Sequence, residues 1–329
     1  MADVAPKSKP ARRSKDANPD PRNASISVRD FIYFLPFPVP KGIDMPYTLG
    51  LPDKNPLNLP PEGFEPTSTL VLTSTGKTFV DIRIFRPLRP GDPILPTDGG
   101  PRERLEWAFS GKAFAQEIPD PFLISRPGGP PPSATPHQWA GPIKSCAWTH
   151  WIDSRHHVNT PSHEMPDDSG IMYPLTETKT LEHGSAPNPA TGKMQTHEEL
   201  WSERKIEACW PSKSKWSIVL RLDALDMGVR GVAIRLGRYA QAVLMDGDVA
   251  TVERWEYKKV VAGAKKGGEG EEEERWEWEK TVRIGDGSLP CPVMLQKESS
   301  LVKDGIVQDG DYVWVVEEKV EWEDVERSE

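Results

Sequence analysis

The chain has 329 residues, 36% apolar and 28% charged, a length suited to about two domains and an apolar share too low for all of it to fold compactly. Its net charge of −9 excludes a duplex nucleic-acid binder, which needs a basic footprint. A run of about 18 consecutive apolar residues is lacking, which argues against membrane insertion.

The 34 Pro and 26 Gly break up regular structure, while the 12 Trp fall mostly in strand-like runs and suggest an all-β protein with aromatic cores. Cys146, Cys209 and Cys291 are odd in number, far apart and without a CxxC. They read as unpaired, buried thiols of a reducing compartment. With no apolar leader at the N-terminus, the expected location is cytoplasmic or nuclear.

Residues 1–24 hold almost no large apolar side chain and are expected to be a disordered tail. The basic run Lys7–Lys15 reads as a solubilising segment, with a nuclear localisation signal as the alternative. Ser25–Leu35 is the first strand, followed by a Pro-studded insertion to Pro66. Thr67–Ser74 and Thr78–Pro87 form a hairpin. In its second strand Phe79, Asp81, Arg83 and Phe85 share one face and Val80, Ile82 and Ile84 the other.

Leu105–Gly111 is a short strand, and Ile118–Pro142 a Pro/Gly-rich loop. Lys144–Asp153 reads as one patterned strand. Ile171–Leu175 and Thr178–His183 follow. In Gly192–Arg204, Gln195, His197, Glu199 and Trp201 alternate with Met194, Thr196, Glu198 and Leu200. A strand is preferred there to a helix capped at Thr196.

Trp216–Leu222, Gly231–Leu236 and Tyr239–Met245 form a three-stranded meander around which the chain is organised. One of its faces is greasy and the other carries Arg221, Arg235 and Gln241. Closure of the sheet into a barrel is the simplest cover for the greasy face. Asp248–Ala262 and Arg275–Ile284 are partner strands across the acidic, Gly-rich loop Gly263–Glu274, and Asp311–Trp322 is the last strand.

The fold class is therefore all-β: two tandem antiparallel barrels with long Pro-rich loops, one over residues 25–209 and the other over 210–329.

LEWAFSG (105–111), Trp148–Asp153, GIMYP (170–174), EELW (198–201), SIVLRL (217–222) and IRLGRYAQAVL (234–244) together resemble the fungal Hri family of casein-kinase-I-interacting proteins. The likeness runs over roughly residues 67–250, with a weaker match at Asp311–Trp322. It implies two lipocalin-like barrels, a cytosolic and nuclear location, and a casein-kinase-I-type protein kinase as partner. It implies no established enzymatic activity and no catalytic residues. The N-terminal tail, the Pro-rich insertion and the acidic loop depart from shorter family members, so contacts there do not carry over.

No residue cluster identifies a reaction. Ser154, His156 and Asp153 are sequence neighbours, which seldom form a triad, and GxSxG is absent. Gly263–Gly270 lacks the Lys-Ser/Thr ending of a P-loop. His150, His156, His157 and His163 cluster without metal-ligand spacing, and His150 is the best-placed residue for a haem ligated by one His.

Trp107, Trp148, His150, Trp151, Tyr173, Trp201 and Trp255 are candidates to line a cavity for a small apolar ligand. The bulk of tryptophan favours a lumen filled by side chains over an open one. Acidic Glu271–Glu274 and Glu317–Glu329 read as a solvated face and tail, with steering of a basic partner as the alternative, and Ser169 and Ser328 are candidate phosphoacceptors. The expected function is a non-enzymatic interaction protein, with a small-ligand carrier as the alternative.

Overall fold

The structure is a computed structural model that describes residues 20–34, 65–121, 139–187, 193–261 and 274–324. Among the described residues, sixteen strands and one short helix account for nearly all the regular elements. The first nine strands are β1 (Ser25–Phe34), β2 (Thr67–Thr73), β3 (Thr78–Phe85), β4 (Leu105–Glu117), β5 (Lys144–Trp148), β6 (Ile152–Asp153), β7 (Asp168–Pro174), β8 (Lys179–Pro187) and β9 (Met194–Arg204). The other seven are β10 (Lys215–Ala224), β11 (Val229–Leu236), β12 (Tyr239–Asp246), β13 (Val249–Val261), β14 (Glu274–Ile284), β15 (Ile306–Asp309) and β16 (Tyr312–Trp322). Helix α1 (Cys291–Gln296) lies between β14 and β15.

The first unit is a closed antiparallel barrel. Its eight strands pair in the ring β1–β2–β3–β4–β5–β7–β8–β9, which β9 closes on β1, and β6 joins β4 from the side. Closure removes the exposed edges that an open sheet would carry. The second unit is a seven-stranded sheet in the order β14–β13–β12–β11–β10–β16–β15. It is curled but not closed. Residues 96–100 cover its β14 edge, where Gly100 N–H donates to Arg283 O at 2.9 Å and Arg283 N–H to Pro96 O at 2.7 Å.

The meander finds its cover in the barrel rather than in its own continuation. Val80, Ile82 and Ile84 of β3 point outward from the barrel and meet Val232, Ile234, Val243 and Val252 of the second sheet in one shared core. Each fully buried Ile or Leu here contributes roughly 2 kcal/mol of apolar transfer. The far face of the sheet is covered as well: Leu220, Leu244 and Trp314 pack under α1 with Met294.

Both faces of the meander are thus buried, so its polar residues do not form a wet face. Gln241 Nε2 donates to Leu70 O (2.9 Å) and Val80 O (3.1 Å) on the barrel wall. Arg235, under α1 on the other side, donates to Met294 O at 2.8 Å.

Several boundaries differ from the sequence reading. Leu105–Gly111 extends to Glu117. Lys144–Asp153 breaks into β5 and β6, because Thr149 N–H turns to Lys112 O and Trp151 N–H to Ser110 O. Short β15 and α1 carry no readable period. Residues 20–24, expected in a disordered tail, form a capped turn: Pro21–Asn23 is a 3-10 helix whose first N–H groups are met by Asp20. Residues 1–19, most of the Pro-rich insertion (35–64), residues 122–138, 263–273 and Ser328 lie outside the described residues.

No helix among the described residues is long and apolar enough to cross a membrane.

Candidate functional site

The barrel surrounds a half-open cavity of about 1590 Å³. Alternation along the strands decides what faces it. In β3 the outward residues are Val80, Ile82 and Ile84, so Phe79, Asp81, Arg83 and Phe85 face the lumen. The same rule puts Trp107 and Phe109 of β4, Cys146 and Trp148 of β5, Glu182 of β8, and His197, Glu199 and Trp201 of β9 on the inner wall.

The expectation of a tryptophan-filled lumen therefore fails. The barrel is open inside and carries converging charges. On its inner wall Trp and Phe alternate with Arg, Asp and Glu, and two facing glycines leave room. A Cβ on Gly170 would come within 2.8 Å of Glu182 Oε1, and one on Gly184 within 2.9 Å of the His197 ring. The two glycines are cross-strand partners, so space for both side chains is created at one place.

A charged network crosses the lumen. Arg29, 4% exposed, donates from Nε to Glu65 Oε2 at 2.7 Å and from Nη1 to Glu199 Oε1 at 2.9 Å. Arg83 donates from Nη2 to Asp81 Oδ2 at 2.8 Å, and its Nη1 lies 3.8 Å from Glu199 Oε1. Burial works against the Glu199 charge, yet the two guanidiniums outweigh it and hold its pKa below the usual range.

Glu182, paired directly across the strands with Glu199, goes the other way. Burial first, and then repulsion by Glu199 and Asp168, push its pKa well above the ordinary value. It accepts from Trp201 Nε1 at 2.9 Å. Burial also raises Asp81 against the pull of Arg83, and it lowers His197, which is therefore neutral. Three atoms in this wall have no hydrogen-bond partner: Asp81 Oδ1, Glu106 Oε2 and His197 Nδ1.

An aromatic wall stands beside Asp81. Trp107 stacks on Phe109 (centroids 4.1 Å apart), and Phe109 meets Phe79 edge-on at 5.6 Å. Arg155 lies 4.1 Å and Arg83 4.9 Å from the Trp107 ring centroid. His150 stacks on Phe109 at 4.6 Å, clamped between Asp153 (Nδ1, 2.7 Å) and Asp168 (Nε2, 3.1 Å). Burial opposes its charge, but the hydrogen bonds to Asp153 and Asp168 prevail and lift its pKa to about 9.

Of the seven candidate lining residues, Trp107, Trp148, His150 and Trp201 line the cavity. Trp151 does not, because the break between β5 and β6 turns it outward. It packs into the shared core under Arg221, 3.6 Å from its ring centroid. Tyr173 points outward between inward Met172 and Pro174 and packs with Phe31, Leu181 and Leu200. Trp255 belongs to the far face of the second sheet.

His150 is no haem ligand in this state, since both ring nitrogens are committed to carboxylates. Ser154 Oγ accepts from Ala108 N–H, while Asp153 serves His150 and Trp107 and lies 3.4 Å from His156 Nδ1. Among the described residues no group of His, Cys, Asp and Glu is arranged to hold a metal ion. All three cysteines are free, and burial raises each thiol, Cys146 in the lumen to about 11.

Sequence reading misses Arg29, Asp81, Arg83, Glu182, His197 and Glu199 as site residues. Their alternation with outward apolar residues is the available signal.

No curated protein matches the chain. The crystal structure of an uncharacterized protein from Saccharomyces cerevisiae, YLR301w, matches over 91% of this chain and 99% of that one, with 18% identity and a TM-score of 0.54. A likeness at that identity shows the fold alone. Residues 51–318 match the model of the family described as Protein HRI1, which is well over half of the sequence and includes the segments that carried the resemblance. The chain belongs to the Protein HRI1 family.

Proposed function

We propose that the barrel is a non-catalytic receptacle that binds a small molecule with an apolar body in its lumen. The observation that carries this reading is the cavity itself. At about 1590 Å³ it far exceeds the roughly 300 Å³ at which pockets take drug-sized ligands. Its wall joins aromatic surface to a few buried polar groups, the usual division between affinity and orientation.

The test uses N-phenyl-1-naphthylamine, a neutral dye that brightens in apolar surroundings. Wild-type protein should bind it saturably at one site. Val71→Trp, which places an indole on the inner wall, should lose the signal while keeping its circular dichroism. Equal brightening in both proteins would reject the reading.

Association with a casein-kinase-I-type protein kinase is the second reading. Sequence resemblance supports it, together with exposed Ile306, Val313 and Val315, three apolar residues that share one face of β15 and β16. Acidic steering by Glu317 and Glu318 has less support, because both bind groups within the chain. Loss of kinase co-purification on Ile306→Glu would favour this reading, and unchanged co-purification would count against the strip.

A further inference from the structure

The lumen holds more negative charge than it neutralises. Arg29 and Arg83 face Glu65, Glu199 and Asp81, beside Glu182, whose pKa burial and its acidic neighbours push up. His150 faces both Asp153 and Asp168. Each group has one carboxylate more than it has cations.

The surplus has a definite address. Asp81 Oδ2 is taken by Arg83, but Oδ1 has no partner, and the side chain is 3% exposed. An unmet acceptor that deep is costly unless something donates to it. The Asp81 side chain belongs to the cavity wall beside Phe79, Phe109 and Trp107, with Oδ1 itself buried just beneath its surface. His197, also buried, presents another unpartnered atom, Nδ1.

Resting on the lumen-binding reading, we infer that the ligand is a cationic amine with a flat apolar body. Its ammonium donates to Asp81 Oδ1 and its body lies against the Phe79–Phe109–Trp107 wall. The added charge balances the inner carboxylates, and the amine supplies the donor that the protein lacks at this atom. Burial already raises the Asp81 pKa, and a cation at Oδ1 relieves that strain on the ionised form. A carboxylate ligand meets the opposite field and finds Arg29 and Arg83 already engaged.

Three probes of one shape test this by calorimetry: tryptamine (cation), indole (neutral) and indole-3-acetate (anion). Tryptamine should bind about tenfold or more tighter than indole, the scale of one charge-assisted hydrogen bond. Indole-3-acetate should bind more weakly than indole. In Asp81→Asn, tryptamine should fall to within about threefold of indole.

Equal or tighter binding of indole-3-acetate by the wild type overturns the inference, as does a full tryptamine preference in Asp81→Asn. The wild-type ranking decides the matter even if the variant misfolds. N-phenyl-1-naphthylamine separates the two levels. If it binds and the three indoles show no charge preference, only the amine assignment falls. If neither it nor any indole binds, the lumen reading falls too.

Discussion

Glu318 of β16 reaches from the second sheet into the β2–β3 turn, where its Oε1 accepts both the Thr75 N–H (3.1 Å) and the Thr75 hydroxyl (2.6 Å). Gly76 N–H, the Ser74 hydroxyl and the Ser217 hydroxyl donate to the same carboxylate. A carboxylate from one unit thus satisfies the turn of the other. Glu318→Ala leaves several buried donors unmet and should lower stability by about 3 kcal/mol, with Glu318→Gln intermediate. Urea unfolding at pH 7 measures this, and a loss below about 1 kcal/mol would show that the contact does not hold the halves together.

His150 makes stability depend on pH. Its folded pKa of about 9 stands above the ordinary 6.5, so the folded state binds the proton more tightly. The contribution is full below about pH 6.5 and is lost as pH rises through 9, by at most about 3 kcal/mol. Urea midpoints should fall across that window in the wild type and fall less in His150→Gln. Parallel slopes in the two proteins would place the effect elsewhere.

The Arg29–Glu199 pair, both side chains at most 5% exposed, should behave as a buried ion pair. Arg29→Met strands Glu199 and Glu65 and should destabilise by roughly 3–5 kcal/mol. Adding Glu199→Met should recover part of that loss. A double variant whose loss is the sum of the two single losses would mean that the two charges do not interact.

Much of this wall is legible in the order of the residues alone. The alternation in Thr78–Phe85 separates Phe79, Asp81, Arg83 and Phe85 from Val80, Ile82 and Ile84, and the folded strand keeps that division. It does not say what each face looks onto. The apolar set meets another unit, and the polar set meets a half-open lumen rather than the outer surface. That choice depends on β1 pairing with β9 across some 170 residues and on β3 pairing with β4, which local periodicity cannot register. Trp151 escapes a pattern-based placement for a related reason: its strand breaks through backbone bonds to β4, which no pattern within Lys144–Asp153 reveals. Glu318 reads as part of an acidic tail because its donors in the β2–β3 turn lie more than 240 residues away.

Cys146 reports on the lumen from inside. Its thiol pKa of about 11, raised by burial from an ordinary 9.0, leaves roughly a hundredfold less thiolate at pH 7.5. Alkylation by iodoacetamide, followed at this residue by peptide mass, should be slowed by about that factor relative to the urea-unfolded chain. A rate within about threefold of the unfolded chain would mean that the inner wall is wet and open at this point.

Native mass spectrometry of the protein purified from its own source tests the central claim most directly. The expected spectrum shows one added small-molecule mass per chain in the wild type and the bare mass in Val71→Trp. A bare wild-type mass under conditions that preserve known small-ligand complexes, or the same adduct in both proteins, would contradict a ligand held in the barrel.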